Sequence, residues 1–316
     1  MEQTLDAKPL IATVRPRTSL ASQIVTVVAV ALPPFGVLSV MGVLWGVGFG
    51  PVSLATLVVL YTLCGLGITV GFHRLFTHRS FETTRALRAL WAILGCMAMQ
   101  GPLTQWVTDH RKHHALSDKE GDPHSPHAGH GDGVVAVLVG LFHAHVGWLF
   151  RTKGMERGLQ YGRDLYADRL VRTIDRLYLI WVVTTLGIPF LAGYAAGGGD
   201  VGRGLEAMVW GGILRVFLFQ HVTWSINSIC HAFGRRPFRT RDESRNVWLL
   251  ALPSFGEAWH NNHHAFPSSA VHGLLPGQVD LSALVIRGME RLGLAWDVRR
   301  PDPGQLSKRL AQPAES

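Results

Sequence analysis

Between Arg17 and Arg74 the chain carries no Asp, Glu, Lys or Arg. A bilayer crossing takes about 20 residues, so an uncharged run of this length predicts two crossings rather than one. The turn is expected at Gly48-Phe49-Gly50-Pro51, giving one span over about 23–47, kinked at Pro33-Pro34, and a second over about 52–72. Composition agrees: 47% of residues are hydrophobic and only 16% charged, below the roughly 25% charge of ordinary soluble domains. A cleaved signal peptide fits poorly, because the run begins late, is too long and lacks a small-residue cleavage site followed by soluble sequence.

Two further uncharged runs, about 177–199 and 207–233, predict a second hairpin, interrupted only by Arg215. Snorkelling to an interface is the plain account of that arginine. Ala89–Thr108 and Val134–Phe150 are also uncharged, but the first contains Gln100-Gly101-Pro102 and the second His143 and His145. They are read as interfacial or cap helices. With four spans, all of the 30 Lys and Arg except Arg203 and Arg215 fall on one side of the membrane, which puts both termini and the central region in the cytoplasm of a multi-pass protein of the cell (inner) membrane. The expected organisation is a cytoplasmic segment 1–22, a membrane unit 23–270 and a cytoplasmic C-terminal segment and tail 271–316. The net charge of +8 reflects this bias, or a basic face that receives anionic partners. No nucleic-acid-reading module is recognisable. Cys64, Cys96 and Cys230 lack paired spacing and read as packing residues.

Sixteen histidines are distributed far from evenly. "HRLFTH" supplies His73 and His78, "DHRKHH" supplies His110, His113 and His114, "NSICH" supplies Asn227 and His231, and "HNNHH" supplies His260, His263 and His264. On a helix, positions i, i+3 and i+4 lie on one side, so each H-x-x-H-H triple is expected to aim three imidazoles at one point. Nine histidines and an asparagine are too many for one ion, and a two-metal site follows. Groups separated by a hydrocarbon core of about 30 Å cannot share such a site. All the boxes must therefore lie on one face, so Ala89–Thr108 should not span. His124, His127 and His130, in "DPHSPHAGHGDG", read as a solvated loop or a weak adventitious metal-binding stretch rather than a designed site. His143, His145, His221 and His272 lack triple spacing and are given structural or ligand-orienting roles.

The H-E-x-x-H pattern of zinc proteases is absent, and structural zinc usually takes cysteine or a closed four-ligand set. Iron held by several imidazoles can activate dioxygen, and a membrane location points to an apolar substrate. The residues alone thus suggest a membrane di-metal oxidase.

In order and placement, these four boxes resemble those of the membrane fatty acid desaturases, particularly the acyl-coenzyme A Δ9 (stearoyl-coenzyme A type) branch. The resemblance runs over about residues 50–270 and includes "GDPHSP" and "HVGWLF". It implies an all-α integral membrane protein of four transmembrane helices in two hairpins, with a cytoplasmic helical cap holding a di-iron centre. The implied ligands are His73, His78, His110, His113, His114, His231, His260, His263 and His264, with Asn227 acting through water. The resemblance further implies a kinked acyl tunnel shaped by Trp106, Thr223 and Trp224, and a head-group region including Asp109, Arg151 and Lys153. Thr108 stands where animal relatives carry Arg, and "HAGHGDGVVAVLVGLF" lengthens a shorter segment. The implied activity is O2-dependent insertion of a cis double bond, at Δ9, into a saturated acyl chain carried by coenzyme A or a lipid. Electrons would come from a separate ferredoxin, flavoprotein reductase or cytochrome b5-like donor, since no heme, flavin or cysteine-cluster module is seen. A di-iron lipid hydroxylase is the nearest alternative. A metal transporter or sensor is the more distant one, since its ligands would sit near mid-membrane rather than at span ends.

Overall fold

The computed structural model describes residues 50–151 and 158–311. The expected segment 1–22, the first span 23–47 and Lys153 lie outside the described residues, and Arg151 is described only as backbone. Helix α1 (Pro51–Leu66) opens with proline at its first position, where the missing N–H costs nothing. Its N-terminal groups are met from far along the chain: Glu206 Oε1 accepts from Gly50 N and Ser53 Oγ, each at 2.9 Å. The helix continues without interruption as a π-helix, Gly67–Thr77. A two-residue strand, β1 (Glu82–Thr83), leads to α2 (Arg85–Met97), whose N-terminus is capped by the Thr84 hydroxyl. The two helices cross closely: a Cβ on Gly67 would lie 2.3 Å from Gly95 N, and one on Gly95 would lie 2.3 Å from the Phe72 ring.

Helix α3 (Leu103–Leu116) follows, then α4 (Val134–Phe142), which runs through a π turn at His143–Gly147 into Trp148–Arg151. Helices α5 (Gly158–Ala167) and α6 (Arg169–Arg176) precede α7 (Tyr178–Ala196). Helix α8 (Val201–Met208) continues through a π turn, Val209–Leu214, into α9 (Arg215–Ala232) and packs along α7. The chain ends in α10 (Trp248–Ala251), α11 (His260–Ala265), α12 (Leu281–Arg291), β2 (Ala295–Trp296) and α13 (Pro303–Arg309). β2 pairs antiparallel with β1, Thr83 opposite Ala295, the only sheet among the described residues.

Two described helices are long and apolar enough to cross a membrane: Pro51–Thr77, with mean hydropathy 2.0, and Tyr178–Ala196, with 1.7. Both show apolar side chains outward, such as Val58, Val59, Val183 and Leu191, as contact with lipid allows. The run expected as a fourth span belongs to the continuous helix Val201–Ala232, which also carries Arg203, Glu206, Arg215 and Gln220.

Ala89–Thr108 is not one helix, as the shared-face argument requires. It breaks between α2 and α3, where Met99 and Gly101 take positive φ of 58° and 102°. Polar groups fix the break. Asp175 accepts from Leu103 N and Thr104 N, at 2.8 and 3.1 Å, and so caps α3. Gln220 donates to Met99 O at 3.0 Å, and Arg215 donates to Met97 O at 3.1 Å and to Thr185 Oγ1 at 2.6 Å. Arg215 therefore does not snorkel. It is fully buried and anchors α2, α7 and α9 to one another. Arg215→Ala removes these donors and leaves a cavity, so a loss of about 3 kcal/mol is expected, seen as a lower midpoint in detergent thermal unfolding. An unchanged midpoint would remove Arg215 from this role.

Candidate metal centre

The histidine boxes converge on one place, but not as triples aimed at single points. His73, His78, His110, His114 and His263 form one group, and His113, His231, His260 and His264 another; within each group one ring nitrogen from every histidine lies within 4.8 Å of the others. Each H-x-x-H-H box straddles both groups. The reason is helical geometry: successive residues are rotated by about 100°, so i and i+4 nearly coincide while i+3 faces aside. His110 and His114 go one way and His113 the other; His260 and His264 pair, while His263 crosses over.

His73 and His78 are five apart, a spacing that an α-helix would splay. The π-helix reconciles them: His78 N donates to His73 O at 3.1 Å, closing an i to i+5 turn. The "HNNHH" box is set by its asparagines. Asn261 holds the Phe238 backbone through its Oδ1 (2.8 Å) and Nδ2 (3.1 Å), and Asn262 donates to His272 O (2.7 Å) and Gln278 Oε1 (2.6 Å). These tethers fix all six residues of α11, every one of them buried.

Four carboxylates orient four of the rings through Nδ1. Asp122 lies 3.0 Å from His113, Asp118 2.8 Å from His231, Asp242 2.7 Å from His264, and Glu257 contacts His73. Glu257 is itself held by Arg74, which also reaches Asp280 at 3.1 Å. Burial pushes the Asp118 and Asp122 carboxyls up, but hydrogen bonds and charge from His231 and His113 outweigh it and hold both well below the usual range. A carboxylate at Nδ1 fixes the proton there and turns the Nε2 lone pair inward.

That arrangement is what a cation requires. Burial, and then the neighbouring imidazoles, hold His110, His114, His260, His263 and His264 well below their ordinary range, so they are neutral donors. Nε2 atoms face one another at 3.1 Å (His73 and His263), 2.9 Å (His114 and His263), 3.1 Å (His110 and His114) and 3.0 Å (His231 and His260). Nε2 of His78, His113 and His264 is buried without a hydrogen-bond partner. Lone pairs so crowded are satisfied together by a metal ion, and imidazole-rich sets suit a transition metal.

A cavity reaches His73 and His110 of one group and His260 of the other, between walls that include Ile68, Trp106, Phe219, Thr223 and Asn227. Trp106 stacks on His110 with centroids 5.0 Å apart and donates to Gln100, whose amide donates to Thr223. Trp224 does not line it; its ring lies 5.2 Å from His221 and 6.0 Å from His145. Asp109 is buried, its carboxyl pushed up to about 7 by burial that outweighs the nearby Lys112.

His124 departs from the expected solvated loop. It is buried against His113, ring centroids 4.3 Å apart, because Asp122 folds the loop inward and accepts from its N–H. His127 bonds the His231 carbonyl at 2.7 Å. His272 is fully buried beside His73 and His263. The four orienting carboxylates escaped the sequence reading, since only the fold brings Asp118, Asp122, Asp242 and Glu257 to their histidines.

Residues 49–276 match the family model described as fatty acid desaturase. The chain is 42% identical over 282 residues to hex-5-enoyl-[acyl-carrier protein] acetylenase of Moorena producens, covering 89% of this chain and 87% of that one. It is 39% identical to Delta-9 acyl-lipid desaturase 1 of Arabidopsis thaliana, covering 80% and 77%. It is 37% identical to the acyl-CoA C20 Delta5-desaturase of Anemone leveillei, covering 77% and 72%.

Proposed function

The chain belongs to the fatty acid desaturase family, in a Δ9-like branch, and acts as an acyl desaturase; from that premise we propose that its two histidine groups each hold one iron ion and that the substrate is a saturated acyl chain desaturated at Δ9. The observation that supports this most directly is the division of nine histidines, six of them buried and three partly so, into sets of five and four, with Nε2 atoms facing one another. Asn227, on the cavity wall beside His260, completes the smaller set through a water. Bound iron supplies the reductive activation of dioxygen.

The protein's own part is placement. Trp106 and Thr223, joined through Gln100, form one wall of the cavity that meets both groups, and Ile68 and Phe219 give it an apolar lining suited to methylenes. Trp224 supports that wall from behind, against His145 and His221. Asp109, Arg151 and Lys153 receive the head group, a coenzyme A thioester or lipid ester. Each double bond takes two hydrogens from the chain. Reduction of O2 to two waters needs four electrons; two come with those hydrogens and two, with two protons, from a separate donor.

On this reading the segment 23–47 and the helix carrying 207–233 cross the membrane with the two apolar helices already described, in two hairpins. The histidine groups form a cytoplasmic cap between segments 1–22 and 271–316, at the inner membrane. Expression in a desaturase-deficient host, with the double bond located in extracted lipids, tests the activity. The expected product has lost two hydrogens; an added oxygen would favour a hydroxylase, and no product despite iron and a competent reductase would defeat the proposal.

A further inference from the structure

The desaturase reading requires electrons from outside the chain, and the surface beside α11 has the form of a place to receive them. Phe266 directly follows α11, two residues beyond His264, and forms part of a pocket of about 340 Å3 with Arg299, Arg300, Gln305, Lys308 and Arg309. Arg309 binds this wall to the metal centre: its guanidinium donates to the Ala265 carbonyl and lies 5.3 Å from the Phe266 ring centroid.

A second basic segment is joined to the first. Arg239 N donates to Arg309 O and Ala311 N to Pro237 O, both at 2.8 Å, with Phe238 bridged to Leu310. The residues 235–241 and 299–309 thus make one surface. Among the described residues, Arg235, Arg241, Arg299 and Lys308 make no ion pair, while Arg239 and Arg309 donate only to carbonyl oxygens. Of the acids beside them, Glu290 is paired with Arg300, Glu243 with Arg236 and Arg245, and Asp302 caps α13. The same surface reaches the ligands by a second route, through Asp242 to His264 at 2.7 Å.

Resting on the desaturase reading, we propose that this surface docks an acidic one-electron carrier protein, which delivers electrons through the Phe266 side of α11. An acyl carrier fits less well. The substrate cavity touches α11 at His260, at its other end, and shares no lining residue with the basic pocket. Uncompensated cations would steer an acidic protein and fix its orientation while leaving the complex weak enough to turn over. Two carriers, each oxidised by one electron, supply the two electrons needed per double bond.

The test compares the iron-loaded full chain with R299E/K308E in neutral detergent, each assayed with reduced plant-type ferredoxin, rubredoxin and cytochrome b5, and separately with dithionite and methyl viologen. At least one protein donor should support saturable turnover that falls as salt rises. For that donor the double variant should raise KM about tenfold or more, keep kcat within about twofold and flatten the salt dependence. Turnover with the small reductant should be equal in both proteins, which shows that the variant is folded. An unchanged donor KM, no saturable donor among the three, or a raised KM for the acyl substrate instead would overturn the docking proposal. Absence of turnover by the wild type even with the small reductant would be a failure of the desaturase reading itself.

Discussion

His263→Ala is expected to abolish measurable desaturation, a larger loss than the roughly 10–100-fold that follows removal of a residue merely orienting a ligand. Its side chain is buried, and its Nε2 lies 3.1 Å from that of His73 and 2.9 Å from that of His114. His264→Ala should be as damaging, yet through the other group, because these adjacent side chains diverge by about 100° around α11. Pairs of substitutions separate the two. H110A/H263A confines the damage to one group and should retain about one iron per chain, whereas H263A/H264A damages both and should retain about none. Iron analysis of the purified variants decides it. The reverse order, with about one iron kept by H263A/H264A and about none by H110A/H263A, would mean that each box serves one ion, and the straddling arrangement would be wrong.

Counting histidines located the centre but not its partition. The H-x-x-H-H spacing says that three rings share one side of a helix, and a single target is the simplest extension. It takes the partner helices to show that a 100° difference sends His113 and His263 to opposite groups from their neighbours. His73 and His78 illustrate the converse: their spacing looks wrong for any shared site until the backbone is seen to be π-helical. Two apolar helices long enough to cross a membrane, Pro51–Thr77 and Tyr178–Ala196, were legible through hydropathy. Ala89–Thr108 was separable from a span because two boxes flank it and must meet. What held that break was not legible, because Asp175, Arg215 and Gln220 are distant in sequence: Asp175 stands among other charged residues, and Arg215 and Gln220 mark themselves only as polar residues in an apolar run. Arg215 looked like a residue seeking water; it is instead a buried donor to the Met97 carbonyl, which it shares with the Thr185 hydroxyl, and to that hydroxyl itself. The orienting carboxylates were hidden in the same way, by distance along the chain, apart from Asp122 within "GDPHSP".

Removing the metal should destabilise the fold as well as stop the reaction. In the chain without metal, inward ring nitrogens such as Nε2 of His263, 3.1 Å from that of His73 and 2.9 Å from that of His114, crowd together in a largely buried site with no cation to satisfy them. A ligand that binds only the folded state, present at about a thousand times its dissociation constant, contributes about 4 kcal/mol. For a chain of this size each kcal/mol shifts the melting midpoint by about 2–4 °C, so stripping both sites should lower it by about 10 °C or more. Thermal unfolding in detergent before and after chelation measures this, and refilling distinguishes structure from chemistry. Fe(II) should restore both the midpoint and turnover, while Zn(II), which accepts imidazole but has no redox chemistry, should restore only the midpoint. If chelation emptied the sites without moving the midpoint, the inward lone pairs could not be what the metals satisfy. If Zn(II) restored turnover, the nine histidines would be serving some other reaction than one driven by dioxygen.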